Sequence, residues 1–219
     1  MHGAVMRIAA LIATVMVTAA PAEANFCVGV NLHFTSNRTP TAALVRTLEQ
    51  EASQIWQPYG VVLDFESSGA CTDPAGSFEV VFERRVEPAR SRSGALVLGT
   101  TRLQLFLDRA PIVVDYDAID QTVHSLTDER LVAVAGHHGV GSVEVGRALG
   151  RVLAHEIGHV LLAAPNHQPH GLMRPHYVPA DLVAMERFSF TLSPGEVSRL
   201  RHRERVLANH LDHLDECEP

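Results

Sequence analysis

From Ser142 to about Ala164 the apolar residues return at every third or fourth position: Val145, Leu149, Val152, Leu153, Ile157, Val160 and Leu161. That period belongs to an α-helix with one wide buried stripe. Ser142 is a candidate N-cap, and Pro165 stops the pattern because proline cannot continue a helix. A helix buried over so broad a face needs a second layer to cover it. The first half of the chain offers that layer. Phe26–Phe34 alternates through Val28, Val30 and Leu32, and Val61–Phe65 and Phe78–Glu83 also have strand composition. Ala95–Leu98 and Leu103–Leu107 supply one or two further strands. Between the early strands, residues 40–57 read as a helix, with Leu44, Leu48, Ala52 and Ile55 on one face and Pro58-Tyr59-Gly60 as its stop. Tyr116–Leu126 is a weaker helical stretch. A last helix begins at Ser193-Pro194-Gly195-Glu196, which combines an N-cap, proline at the first helical position and a capping-box Glu. Strands and a helix followed by a helical second half predict an α+β domain without internal repeats, spanning residues 25–219.

The long helix carries His155-Glu156-Ile157-Gly158-His159, an HExxH motif. Residues four apart stack on one helix face, so both imidazoles can reach a single ion. Zinc accepts neutral imidazole nitrogen, and a catalytic zinc keeps one position open for water. Glu156, next to the first His, is the candidate general base, able to take a proton from that water and return it to a leaving amine.

A catalytic zinc needs a third protein ligand. His167, His170 and His176 lie just downstream, and Asn166 tolerates the left-handed backbone of a sharp reversal. Such a reversal would bring His167 back under the helix, which makes it the first choice and His170 the alternate. Asp181 and Glu186 are carboxylate candidates that would make a different class of site. Met173, in Gly171-Leu172-Met173-Arg174-Pro175, follows the motif's second His by 14 residues and can form a soft apolar floor under a metal.

These residues resemble the metzincin clan of zinc peptidases, whose pattern is HExxHxxGxxH followed by a methionine-containing turn. Here it reads HEIGHVLLAAPNH and then QPHGLM. The wording is closer still to a group of exported bacterial proteins that share LAHEIGHVLL and GLMR. The resemblance implies a zincin-like fold, with a mixed twisted sheet above a long active-site helix and a helical C-terminal part. It implies one zinc ion held by His155, His159 and His167, Glu156 as catalytic acid and base, and Met173 as the turn methionine. It makes Tyr177 a candidate for oxyanion stabilisation. It also implies a peptide substrate lying extended along an edge strand drawn from Gly94–Leu107. Two positions depart from the clan's pattern. Leu162 stands where the clan has glycine, and His167 is eight residues after the second His rather than six. The alternative to a peptidase is a catalytically silent, zinc-stabilised binding domain of the same fold; hydrolysis of a non-peptide amide is a third reading.

The start of the chain reads as a signal peptide over residues 1–24. Arg7 gives a positive start, Ile8 to Ala20 is apolar or small, and Ala22-Glu23-Ala24 fits a cleavage site. The apolar run is too short for a membrane-spanning helix, so an exported protein without membrane insertion is expected. Export permits disulfides, and Cys27–Cys71 is the expected pair, leaving Cys217 over. The net charge of −7, with arginine as the sole basic residue type besides histidine, gives no footprint for nucleic acid. The expected partner is a protein or peptide substrate, met by a monomer. His137-His138 between glycines reads as a loop, and His202, His210 and His213 read as a solvated helix face.

Overall fold

The computed structural model describes residues 26–35, 39–66, 69–71, 74–84, 97–101, 111–126, 128–136 and 139–215. The expected leader, Cys217, the His137-His138 pair and the side chains of His210 and His213 lie outside these.

Strand β1 (Phe26–Phe34) turns Val28 and Val30 inward. Helix α1 (Ala42–Trp56) follows, capped by Thr41, whose hydroxyl accepts from the Leu44 amide at 3.2 Å. A 3-10 turn at Gln57–Tyr59 and Gly60 at φ 73° reverse the chain into β2 (Val61–Phe65), which pairs with β1 in parallel. Gly60 suits this reversal because it carries no Cβ to oppose a positive φ. Together β1, α1 and β2 form a βαβ unit. Strand β3 (Ser77–Glu83) lies on the other side of β1 and β5 (Ile112–Asp115) beyond it, both in parallel. Strand β4 (Gly99–Thr100) pairs antiparallel with β5, giving the order β2-β1-β3-β5-β4. β4 falls between the two stretches expected to be strands; residues 94–96 and 102–107 are outside the described part.

The remaining elements are α2 (Tyr116–His124), α3 (Asp128–Ala135), α4 (Ser142–Leu161), α5 (Pro179–Val183) and α6 (Pro194–Asp215). The architecture is thus α+β, with a five-stranded, mostly parallel sheet. One face of the sheet is apolar: Val61, Leu63 and Phe65 on β2, Phe78, Val80 and Phe82 on β3, Ile112 and Val114 on β5. This face joins α1 and α4 in one hydrophobic core. Asn31, His33 and Glu79 lie on the other face, where the Glu79 carboxylate bonds both partners at 2.7 and 2.6 Å. No helix of the described residues is long and apolar enough to cross a membrane.

Helix α4 approaches α1 closely because its facing residues are small. A Cβ added at Gly150 would lie 2.6 Å from the Leu48 carbonyl oxygen, and one at Gly146 2.6 Å from that of Leu44. One turn on, Ala154 completes the stripe, and its carbonyl accepts from the Trp56 indole at 3.2 Å. The start of α4 corrects the expected cap. Ser142 is the first helical residue, and the Glu144 carboxylate closes the end by accepting from the Gly141 amide at 2.8 Å. The capping box of α6 forms as expected: the Ser193 amide donates to Glu196 at 2.7 Å, and the Glu196 amide to the Ser193 hydroxyl at 3.3 Å. Cys27 and Cys71 are joined across β1 and the loop after β2, with Cα atoms 6.3 Å apart.

Candidate metal centre

The chain after α4 has little regular structure of its own, and α4 holds it in place. Arg147, Arg151, His155 and His159 follow one another at one-turn intervals along a single helix face. Each donates to a backbone carbonyl of the segment that follows. Arg147 bonds Val183 at 2.6 Å. Arg151 bonds Asp181, and reaches Ala184 at 2.7 Å and Glu186 at 3.1 Å. His155 bonds Leu172 and His159 bonds Ala164, each at 2.7 Å. Arg151 is fully buried, and its charge is met by Glu51 of α1 at 2.7 Å, which also takes Arg187 at 2.6 Å. Breaking such a pair by removing one partner typically costs several kcal/mol, because a buried charge is left uncompensated.

The imidazoles converge at the end of this ladder. The ligand atoms of His155, His159 and His167 all lie within 4.8 Å of one another. His155 and His159 are buried, whereas His167 is exposed, closing the group from the solvent side. The His155 and His167 rings stack with centroids 5.2 Å apart, and His159 stands edge-on to both. The reversal that returns His167 corrects a second expectation. Helix α4 ends at Leu161, and the left-handed residue is Ala163, at φ 45°, rather than Asn166. The amide of Ala164 bonds back to the His159 carbonyl at 3.1 Å, so the chain turns within the last helical turn, before Pro165.

Proton positions follow from the carbonyls. A carbonyl oxygen only accepts, so Nδ1 of both His155 and His159 carries a hydrogen. Their Nε2 atoms then present lone pairs, and these face each other at 3.1 Å. Two lone pairs at that distance repel unless a cation is shared between them. Burial opposes a proton there: desolvation pushes His155 down to about 3, against a weaker opposing pull from the Leu172 carbonyl. Desolvation lowers His159 too, and lowers His167 with help from the neighbouring His159 and His176. Three neutral imidazoles with converging lone pairs fit a divalent metal ion.

Glu156 lies beside this group on α4 with only 4% of its surface exposed. Its Oε2 accepts from the Thr101 hydroxyl at 2.7 Å, just past β4. Its Oε1 faces Gly99 of β4, where an added Cβ would lie 2.6 Å away. Desolvation pushes the Glu156 carboxyl up to about 7, partly offset by the Thr101 bond. Met173 is buried beneath the helix, and a Cβ at Gly158 would collide with its sulfur. The HExxH glycine is therefore what lets the thioether pass under the motif.

No family model, curated protein or solved structure matches the chain.

Several candidates fall elsewhere. His170 and His176 are exposed and contribute no ligand atom to the group. The Asp181 carboxylate is taken by Arg174 at 2.5 Å, and the exposed Glu186 offers its backbone to Arg151. Tyr177 is a correction. Its hydroxyl lies 2.9 Å from Nδ1 of His155 and donates to the Leu172 carbonyl. That is the side of the ring opposite the converging Nε2 atoms, so the phenol does not face the point where the imidazoles converge. Sequence reasoning missed Thr101, Gly99 and the Glu51–Arg151–Arg187 network. Arg151 left a trace, a charge one turn before His155 inside an apolar helix, whereas Thr101 and Gly99 stand in a stretch without any motif.

Proposed function

We propose that this chain is an exported, monomeric zinc endopeptidase with a metzincin-like fold, hydrolysing peptide bonds in protein or peptide substrates. The observation that carries the proposal is the convergence of the His155, His159 and His167 ligand atoms beside a buried carboxylate that has no cationic partner among the described residues. A purely structural zinc needs ligands alone and favours four protein donors. Here three donors converge among the described residues, one short of a closed set of four, and Glu156 is retained at an energetic cost. The antiparallel β4 beside Glu156, and Met173 under the helix, agree with the resemblance in the motif.

When bound, zinc supplies Lewis acidity, polarising the scissile carbonyl and bringing a bound water's pKa to about 7. The protein's own part falls to Glu156. With Oε2 held by Thr101, Oε1 is the oxygen free to take a proton from the attacking water and deliver it to the departing amine nitrogen. Its raised pKa, near neutrality, suits both halves of that transfer. An extended substrate pairing with the edge of β4 would run beside Gly99, against whose backbone the Glu156 carboxylate packs because no side chain stands there.

The test is metal content together with hydrolysis of varied unfolded proteins, on wild type and Glu156→Gln. One zinc per chain in both, with turnover in the wild type alone, is the expected result. A wild type that holds one zinc and cleaves nothing refutes the peptidase reading and leaves a zinc-stabilised binding domain.

A further inference from the structure

Tyr177 has no part in the reaction as proposed, yet its hydroxyl reaches the back of the His155 ring. It forms a triangle with Nδ1 of His155, at 2.9 Å, and the Leu172 carbonyl, to which it donates. Nδ1 itself lies 2.7 Å from that carbonyl. With its hydrogen on Nδ1, the imidazole shares it between the carbonyl and the phenol oxygen, and the phenol passes its own hydrogen to the carbonyl. Every donor in the triangle is used, and Nε2 is left with a lone pair directed at His159 and His167. The ring that carries the hydroxyl is itself held. It stacks on Phe190 with centroids 5.1 Å apart, and the Arg174 guanidinium lies 4.5 Å above it. Arg174 is fixed in turn by Asp181, and Phe190 is covered by the Arg151 guanidinium at 4.6 Å. A chain of contacts therefore runs from the buried Glu51–Arg151 pair to the back of His155.

We propose that Tyr177 is a positioning residue for the metal centre: the Leu172 carbonyl sets the tautomer of His155, and the phenol braces the orientation of its ring and thereby sets the affinity for zinc. This rests on reading the three imidazoles as a zinc site. The comparison is wild type against Tyr177→Phe, both as the full chain with its disulfide. The variant keeps the stacked ring and leaves the Leu172 carbonyl still bonded to His155, so folding of the metal-free protein should be unchanged. Zinc affinity, measured by competition with a chromophoric chelator, is expected to fall about tenfold, the lower end of what outer-shell changes cost. The visible spectrum of the Co2+-loaded protein should shift, since it reports the ligand field at His155 and a merely structural change elsewhere would not move it. Zinc affinity within twofold of wild type, or an unaltered cobalt spectrum, overturns the role of Tyr177. A wild type that binds no zinc overturns the metal reading itself, which separates the two failures.

Discussion

Consider Glu156→Gln in the metal-free protein. The carboxyl is buried, its one bond from a side chain comes from Thr101, and desolvation moves it from 4.5 to about 7. A displacement of that size corresponds to about 3 kcal/mol between the two protonation states. The folded state holds the proton more tightly than the unfolded chain. Glu156 therefore favours the fold most fully below about pH 4.5, and that contribution drains away as pH rises to about 7. Glutamine never ionises. Its carbonyl can still accept from Thr101, though its buried amide brings a desolvation cost of its own of about 1 kcal/mol. The variant should therefore be less stable than wild type near pH 4.5, by up to about 1 kcal/mol, and exceed it by about 2 kcal/mol above pH 7. His155, whose pKa burial lowers, costs stability as pH falls below 6.5, but it does so in both proteins and cancels from the difference. Urea unfolding followed by circular dichroism, with chelator present and at several pH values from 4.5 to 8, measures the gap. A gap that does not widen with pH, or a variant less stable than wild type at pH 8, refutes the claim that an unpaired buried carboxylate is kept here at a cost.

Three further outcomes follow from the same geometry. His167→Ala should lose or greatly weaken the single zinc, whereas His170→Ala should keep it, as read by mass spectrometry and chelator competition; unchanged zinc in the His167 variant discards the third ligand. Arg151→Leu takes from buried Glu51 one of its two arginine partners, leaving Arg187, and strips three carbonyls of their donor, so unfolding by denaturant should show a loss of about 3 kcal/mol; a loss under 1 kcal/mol would mean the clamp is not what holds the segment after α4. Ala163→Gly, at an exposed position with φ 45°, should stabilise the protein by about 0.5 to 1 kcal/mol, raising the thermal midpoint by about 2 °C; a lower midpoint would show that this backbone is not strained.

What the sequence made legible was local. The β1 boundaries, the α6 capping box and the wide stripe of α4 each follow from residues within a few positions of one another, where periodicity and capping chemistry act directly. His155, Glu156 and His159 were readable for the same reason, since one helical turn fixes their spacing. The reversal was read at the wrong residue. Asn166 has the better intrinsic tolerance for positive φ, but the chain must turn at Ala163 for the Ala164 carbonyl to reach Nδ1 of His159. Tertiary hydrogen bonding outweighed propensity there, at an estimated 1 to 2 kcal/mol of left-handed strain. Thr101 and Tyr177 were unreadable as partners of Glu156 and His155 because nothing in a sequence gives the distance between a loop hydroxyl and a helix 55 residues away.

The ladder on α4 explains why such a site needs this fold. A ligand three-quarters of the way along a helix is rigid only if the irregular segment bringing the third ligand is rigid too. That segment has few backbone hydrogen bonds of its own, so its carbonyls are taken by side chains from one face of α4, and the same face ends in the two imidazoles proposed as ligands. The small residues of the adjacent stripe let α1 and Met173 come close behind. Preorganisation therefore comes from a single helix with two jobs, and damage at Arg151, one turn from His155, should reach the metal without touching it.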